Sequence, residues 1–211
     1  MTQVNDVKTG TTTVGIAFDN GVVLATERRA TMGNLIASKK AKKVHSISRN
    51  IGMTIAGTVG DAQRLIRIIN VESSLYELRR GYPISVGAVA TVLSNYLNDN
   101  RFTPYSVQLV VGGVDANGSS LYSVDAAGGA TLEENFVSTG SGSFTAYGVL
   151  EDRFRPNMTK DESVRLPSPK SSRKTSFLQI SRGTRRHVQA RHSEPARLCR
   201  LYFSPFILSG G

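Results

Sequence analysis

The sequence contains no tryptophan and one cysteine, Cys199. A single thiol excludes a disulfide framework within the chain, and a reducing compartment is its natural setting. No apolar run approaches the roughly 18 residues that a membrane helix needs. The opening MTQVNDVKTG lacks the apolar core of a secretory signal. The expected location is therefore cytoplasmic, and Asn117 and Asn157 are not read as glycan sites. Histidine is scarce too. His45, His187 and His192 show no metal-ligand spacing, so neither a metal nor a cofactor is expected. His45 stands alone in the first 166 residues, which leaves no Ser-His-Asp arrangement to propose.

Acidic residues are missing from one region in particular. The chain carries 26 Lys+Arg against 16 Asp+Glu, but residues 167–211 hold 9 of the former and 1 of the latter. The preceding 166 residues keep 17 and 15 and are nearly neutral. The basic excess thus belongs to the tail, which also holds 4 of the 7 prolines. A basic patch invites nucleic-acid binding, yet its confinement to the tail argues against that role for the rest of the chain.

What is present reads as alternating layers. Thr11–Phe18 and Val22–Thr26 predict two strands joined at Asp19-Asn20-Gly21, where Asn-Gly accepts positive φ. Further strands are expected at Val44–Ile47 and Ile51–Ala56. From Thr58 to Arg80 the period becomes helical, with Ala62, Leu65, Ile66, Ile69, Leu75, Tyr76 and Leu78 approximating one face, and Gly81 ends the segment. Ser85 can cap a second helix. Strands return at Ser106–Val114, Ser120–Val124 and from Phe136, and helices are expected from Ser143 and Lys160. Strands, two helices, strands and helices in that order indicate α+β layers: two antiparallel sheets face to face with helices outside.

Several residues are candidates for chemistry, each beside a plainer reading. Thr11 opens a β-branched run, so strand chemistry alone accounts for it. It becomes a nucleophile only with an adjacent base. Cleavage of the Gly10–Thr11 bond would supply one, because a free α-amine has a pKa of about 7.7–8.0. Glu27 ends an apolar strand and needs a cationic partner. Lys43 could be that partner and hold charge beside Thr11, while Lys39, Lys40 and Lys42 read as a solvated face. Gly57 either makes a strand-to-helix turn or aims an N–H at a developing oxyanion. The stretch STGSGS, containing Ser141, reads by composition as a loop.

Together, KTGTTTVGI, LATERRATMGN, KKAKKV, GMTIAGTVGDAQ, AVATVLSN, YSVQLVVGGVD, LYSVDAAGG and STGSGSFTAYGVLE closely resemble the archaeal-type proteasome β subunit, among the N-terminal-nucleophile hydrolases. The resemblance implies a four-layer αββα sandwich over 11–166 and a propeptide, 1–10, removed by autolysis between Gly10 and Thr11. It implies Thr11 as nucleophile with its own amine as proton acceptor. Lys43 would lower the amine's pKa, Glu27 would orient Lys43, Gly57 would form the oxyanion hole, and Ser141 would bond near the amine. Thr31 and Gly57 would pair with an extended substrate. Ala30, Ala41, His45, Ile55 and Val59 would line a pocket for a hydrophobic residue. Implied partners are β subunits in a seven-membered ring, two such rings stacked between α-subunit rings, a regulatory ATPase and unfolded polypeptides, with neither membrane nor nucleic acid.

The resemblance stops near Leu166. It implies a helix continuing past that point, an Asp and a Ser or Thr beside Thr11 from a segment resembling RDSASG, and two closing strands. Nothing after Leu166 matches, and the Pro-, Ser- and Arg-rich composition starts there. The expectation is an aberrant or incomplete C-terminal part, 167–211, arising from a frameshift, with sheet edges left unpaired. An inactive or assembly-defective subunit, or nucleic-acid binding through the tail, are the competing expectations.

Overall fold

The computed structural model describes residues 11–18, 21–32, 35–38, 40–167, 175–181 and 184–189. Gly10 and the expected propeptide, the Asp19-Asn20 pair of the first turn, Lys39, His192 and Cys199 lie outside the described residues.

Strand β1 (Thr13–Phe18) and strand β2 (Gly21–Glu27) pair antiparallel, Phe18 opposite Gly21. A short pair follows, β3 (Ala30–Met32) and β4 (Leu35–Ser38), then β5 (Val44–Ser46) and β6 (Ile51–Gly57). Helices α1 (Val59–Arg80) and α2 (Val86–Asp99) precede β7 (Val107–Asp115), β8 (Gly118–Val124), β9 (Ala130–Glu133) and β10 (Phe136–Thr139). Helices α3 (Ser143–Arg153) and α4 (Lys160–Arg165) lead to β11 (Thr175–Ser181) and β12 (Thr184–Gln189). One five-stranded sheet runs β10-β1-β2-β11-β12 and the other β5-β6-β7-β8-β9.

The period-2 alternation of the strands sorts residues into layers. Val14, Ile16 and Phe18 of β1 pack with Val23, Ala25 and Leu150, covered by Val164 and Leu166. Gly15 points the other way. A Cβ there would come within 2.7 Å of Leu121 and 2.9 Å of Val110 on the facing sheet, so the close approach of the two sheets requires glycine. Val22 and Leu24 meet Val44, Val110 and Leu121 between the sheets. On the outer face of the second sheet, Met53, Ile55, Leu109 and Val111 pack against Leu65 and Ile69 of α1 and Val89, Leu93 and Leu97 of α2. The result is helices, sheet, sheet, helices, as the resemblance implies.

The helix ends follow their residues. Ser85 Oγ accepts from Ala88 N at 3.2 Å, Gly81 closes α1 in the left-handed region at φ 77°, and Thr159 with Glu162 forms a capping box on α4. The face of α1 differs from the expected one. Leu65, Ile69 and Ser73 are buried, whereas Leu75 and Leu78 are exposed at 37% and 82%. A stripe at i, i+4, i+8 carries the core, and the two leucines lie off it.

The tail also differs from expectation. Seven residues of β11 pair with β2, from Thr175 opposite Glu27 to Ser181 opposite Gly21, and β12 pairs with β11. Leu178 and Ile180 are buried in the core between the sheets. Two strands therefore occupy the edge where unpaired backbone was expected. Leu178 and Ile180 stand two residues apart with Gln179 between them, a strand signal hidden when the tail is judged by its proline and arginine content. Leu178→Ala should lower unfolding free energy by about 2–5 kcal/mol, read by chemical denaturation of the isolated chain. Unchanged stability would remove β11 from the core.

Candidate active site

Thr11 lies just before β1 and is 4% exposed. Its side chain meets Lys43, which precedes β5 on the opposite sheet. Lys43 Nζ donates to Thr11 Oγ1 at 2.7 Å and to the Arg29 carbonyl at 2.6 Å. Burial is the main influence on Lys43 and pulls its pKa below the ordinary lysine value. Glu27 opposes that pull through its negative charge, and Arg29 reinforces it through its positive one. Glu27 Oε1 in turn lies 3.6 Å from Arg29 Nε. A half-buried ammonium thus faces a hydroxyl and a carbonyl oxygen, with a carboxylate near enough to stabilise its charge.

The Thr11 main chain is gripped from a second direction. Gly142 N donates to the Thr11 carbonyl at 3.4 Å, and Glu27 N donates to the Thr12 carbonyl at 3.1 Å. Gly140 is left-handed at φ 92°, and a Cβ on it would overlap the Thr11 carbonyl; one on Gly142 would overlap Thr12 Oγ1. These two glycines explain the composition of STGSGS, since the turn lies directly against the threonines. Behind it, Thr13 Oγ1 and Thr139 Oγ1 share a 2.5 Å hydrogen bond, and Ser138 Oγ donates to the Thr13 carbonyl at 2.8 Å. Ser141 is exposed between the glycines, and its hydroxyl has no hydrogen-bond partner among the described residues.

Gly57 completes the arrangement. Thr58 N donates to the Ser106 carbonyl at 3.0 Å, so the alternation of the β6–β7 ladder continues one residue past its last pair, Gly57 and Val107. By the alternation of antiparallel pairs, the neighbouring Gly57 directs its N–H away from β7. On that other side, Ile55 N bonds the Lys43 carbonyl at 3.1 Å, and two residues earlier Ala41 N bonds Arg28 O at 3.0 Å instead. The chain before Lys43 therefore leaves β6, and among the described residues no strand pairs with this side of Gly57. Asp61 fixes the junction, since its Oδ2 accepts from Thr58 Oγ1 at 2.7 Å and from Ser106 N at 3.0 Å. Gly57 has φ 141°, and a Cβ there would overlap the Ser106 carbonyl.

The remaining predicted positions lie on several elements. Val44 is buried between the sheets, and His45 beside it lies opposite Met53 on β6. His45 Nε2 donates to the Lys42 carbonyl at 3.1 Å. Val59, the first residue of α1, is 63% exposed, whereas Ile55 is 3% exposed within the core under α1. Ile55 can present no more than its end to a ligand. Ala30 and Thr31 lie in β3. The residues that sequence reasoning missed are Arg29, Gly140, Gly142, Asp61 and Gln108, whose Oε1 accepts from Gly140 N at 2.8 Å. For Arg29 the contribution is largely a carbonyl, which no side-chain pattern reveals.

Threonine, lysine and carboxylate in this order, beside an open strand edge, are the elements of a nucleophilic site. Comparison with known proteins places them in a family. The model described as "Proteasome subunit" matches residues 7–167. A "Proteasome subunit beta" of Methanocorpusculum labreanum is 80% identical over 161 residues, 76% of each chain. One of Methanoregula boonei is 66% identical over 78% of this chain and 77% of its own, and one of Archaeoglobus fulgidus is 59% identical over 74% of each. The chain belongs to the proteasome subunit family, and within it to the β subunits of the core particle.

Proposed function

We propose that this chain is a threonine-type endopeptidase subunit that exposes its nucleophile by cleavage after Gly10. The observation that carries the reading is the 2.7 Å hydrogen bond from Lys43 Nζ to Thr11 Oγ1. While Thr11 follows Gly10 in the chain, its nitrogen is an amide with no basicity. Cleavage converts it into an amine able to accept the Oγ proton, through a bridging water. Oγ then attacks the carbonyl carbon of a peptide bond, and the oxyanion forms beside the Gly57 N–H. Collapse breaks the C–N bond as the leaving amine takes the proton, and leaves an ester on Thr11. Water hydrolyses that ester and regenerates the hydroxyl. Throughout, the Lys43 ammonium favours the alkoxide character of Oγ and a neutral α-amine, Glu27 favours the ammonium, and Ser141 bonds near the amine.

Substrate binding follows from the open edge. An extended peptide adds as a strand along Gly57 and Thr31 by main-chain hydrogen bonds. Ala30, Ala41, His45, Val59 and the end of Ile55 receive an apolar side chain before the cut. An extended chain is one that is unfolded, which fits a particle of two stacked β-subunit heptamers between α-subunit rings, fed by a regulatory ATPase.

A second reading concerns the tail. The family match ends at 167, and about a quarter of each relative named above lies outside the part matched here. Among the described residues, Thr11 has no carboxylate hydrogen-bond partner, whereas the resemblance implies an Asp beside it. A frameshift after Leu166 accounts for both and would give a subunit of reduced activity or defective assembly. Translation of the source DNA in the other two frames should restore a segment resembling RDSASG; if neither frame does, the frameshift is excluded.

Purified with α-type subunits, the active chain should have a mass that begins at Thr11, and Thr11→Ala should abolish cleavage of an apolar fluorogenic peptide. Retained activity would remove Thr11 from the site. The pH profile tests the charge. Lys43 is protonated below its lowered pKa and loses its charge as pH rises through it. Glu27→Gln removes the influence that raises this pKa, so the alkaline fall in rate should move to lower pH. A profile unmoved by Glu27→Gln would mean that the Lys43 charge does not govern the rate.

A further inference from the structure

Gln108 is not among the residues that the resemblance assigns to the site, yet it joins the site's two halves. It lies on β7 directly opposite Ala56, the neighbour of Gly57. Its Oε1 accepts from Gly140 N at 2.8 Å. Gly140 belongs to the first sheet's turn, is fixed in the left-handed region, and fits so closely that a Cβ on it would overlap the Thr11 carbonyl and lie 3.3 Å from Ala56 Cβ. Two residues on, Gly142 N donates to that same Thr11 carbonyl. The turn therefore sets the position of Thr11, and the Gln108 amide ties the turn to the strand that carries Gly57.

We infer that Gln108 is a positioning residue: its side-chain carbonyl, by holding the Gly140–Gly142 turn, sets the distance between the Thr11 hydroxyl and the Gly57 N–H. The inference rests on the threonine-protease reading. Gln108 touches neither the nucleophile nor, by its placement on β7, the open edge on which a substrate adds. Its own surface is exposed. If the bond were lost, water could satisfy Gly140 N at little cost to folding. What water cannot replace is the fixed span from one sheet to the other. Because attack needs the reacting groups within a few tenths of an ångström of their productive arrangement, a loosened turn slows the chemical step more than it weakens binding.

The test compares Gln108→Leu, which keeps the shape and loses the acceptor, with Gln108→Glu, which keeps an acceptor oxygen. Both are made in the full chain assembled with α-type subunits. For the leucine variant we expect kcat for an apolar fluorogenic peptide to fall about tenfold, the size of one lost hydrogen bond's influence on a barrier, with KM nearly unchanged. Its melting temperature should remain that of the parent, and amide exchange at Gly140 should accelerate. The glutamate variant should recover most of the rate and the slow exchange. Unchanged kcat in Gln108→Leu would overturn the inference. So would a loss of rate accompanied by an equal loss of stability, or a glutamate variant as slow as the leucine one. If instead the parent particle itself shows no Thr11-dependent cleavage, the threonine-protease reading fails; Gly140 exchange that is the same in the parent and in Gln108→Leu would overturn the role of Gln108 independently.

Discussion

A half-buried ammonium has to find acceptors, and the arrangement around Lys43 follows from that requirement. Desolvation works against its charge. The threonine hydroxyl and the Arg29 carbonyl supply two oxygens, and Glu27 supplies opposite charge. With Lys43 itself, they come from three separate parts of the chain. Thr11 precedes β1, Glu27 ends β2, Arg29 follows it, and Lys43 enters β5 on the opposite sheet. The contact therefore forms only when both sheets are in register and face to face. The glycines that let the sheets approach, Gly15 among them, contribute to the site although they lie away from it.

The same dependence explains why two glycine-containing segments flank the threonine. The turn at 140–142 presses main chain against Thr11, and the strand end at Gly57 leaves an amide pointing out of the ladder. Neither arrangement tolerates a Cβ. Side chains deliver the charges here, but the main chain determines where the threonine stands. Asp61 and Gln108 act on that main chain together, both at the Gly57 end of the β6–β7 pairing.

The sequence exposed the layers through period, because strands and helices that bury one face must repeat at 2 or 3.6 residues. Thr11, Glu27 and Lys43 were legible because a carboxylate or lysine bordering an apolar strand demands an explanation. Arg29 was not, since its contribution comes through a backbone oxygen. Nor was Gln108, the one exposed residue of an otherwise largely buried strand, whose partner lies 32 residues away in a turn. The α1 face was read two leucines too wide because Leu75 and Leu78 are apolar without being inward. The strands at 175–189 were obscured by the surrounding prolines and arginines, although Leu178 and Ile180 keep a clean period of 2.

The pairing of β11 with β2 brings the unusual end of the chain close to the chemistry. Thr175 lies opposite Glu27 and Ser176 opposite Thr26, and Thr26 pairs on its other side with Thr13. Only β2 separates this strand from the one that carries the threonines. A slip of one residue in that pairing would turn Leu178 and Ile180 out of the core and shift the backbone on which Glu27 is mounted. The register of β11 is thus coupled, across a single ladder, to the placement of Glu27, the charge that opposes the lowering of the Lys43 pKa.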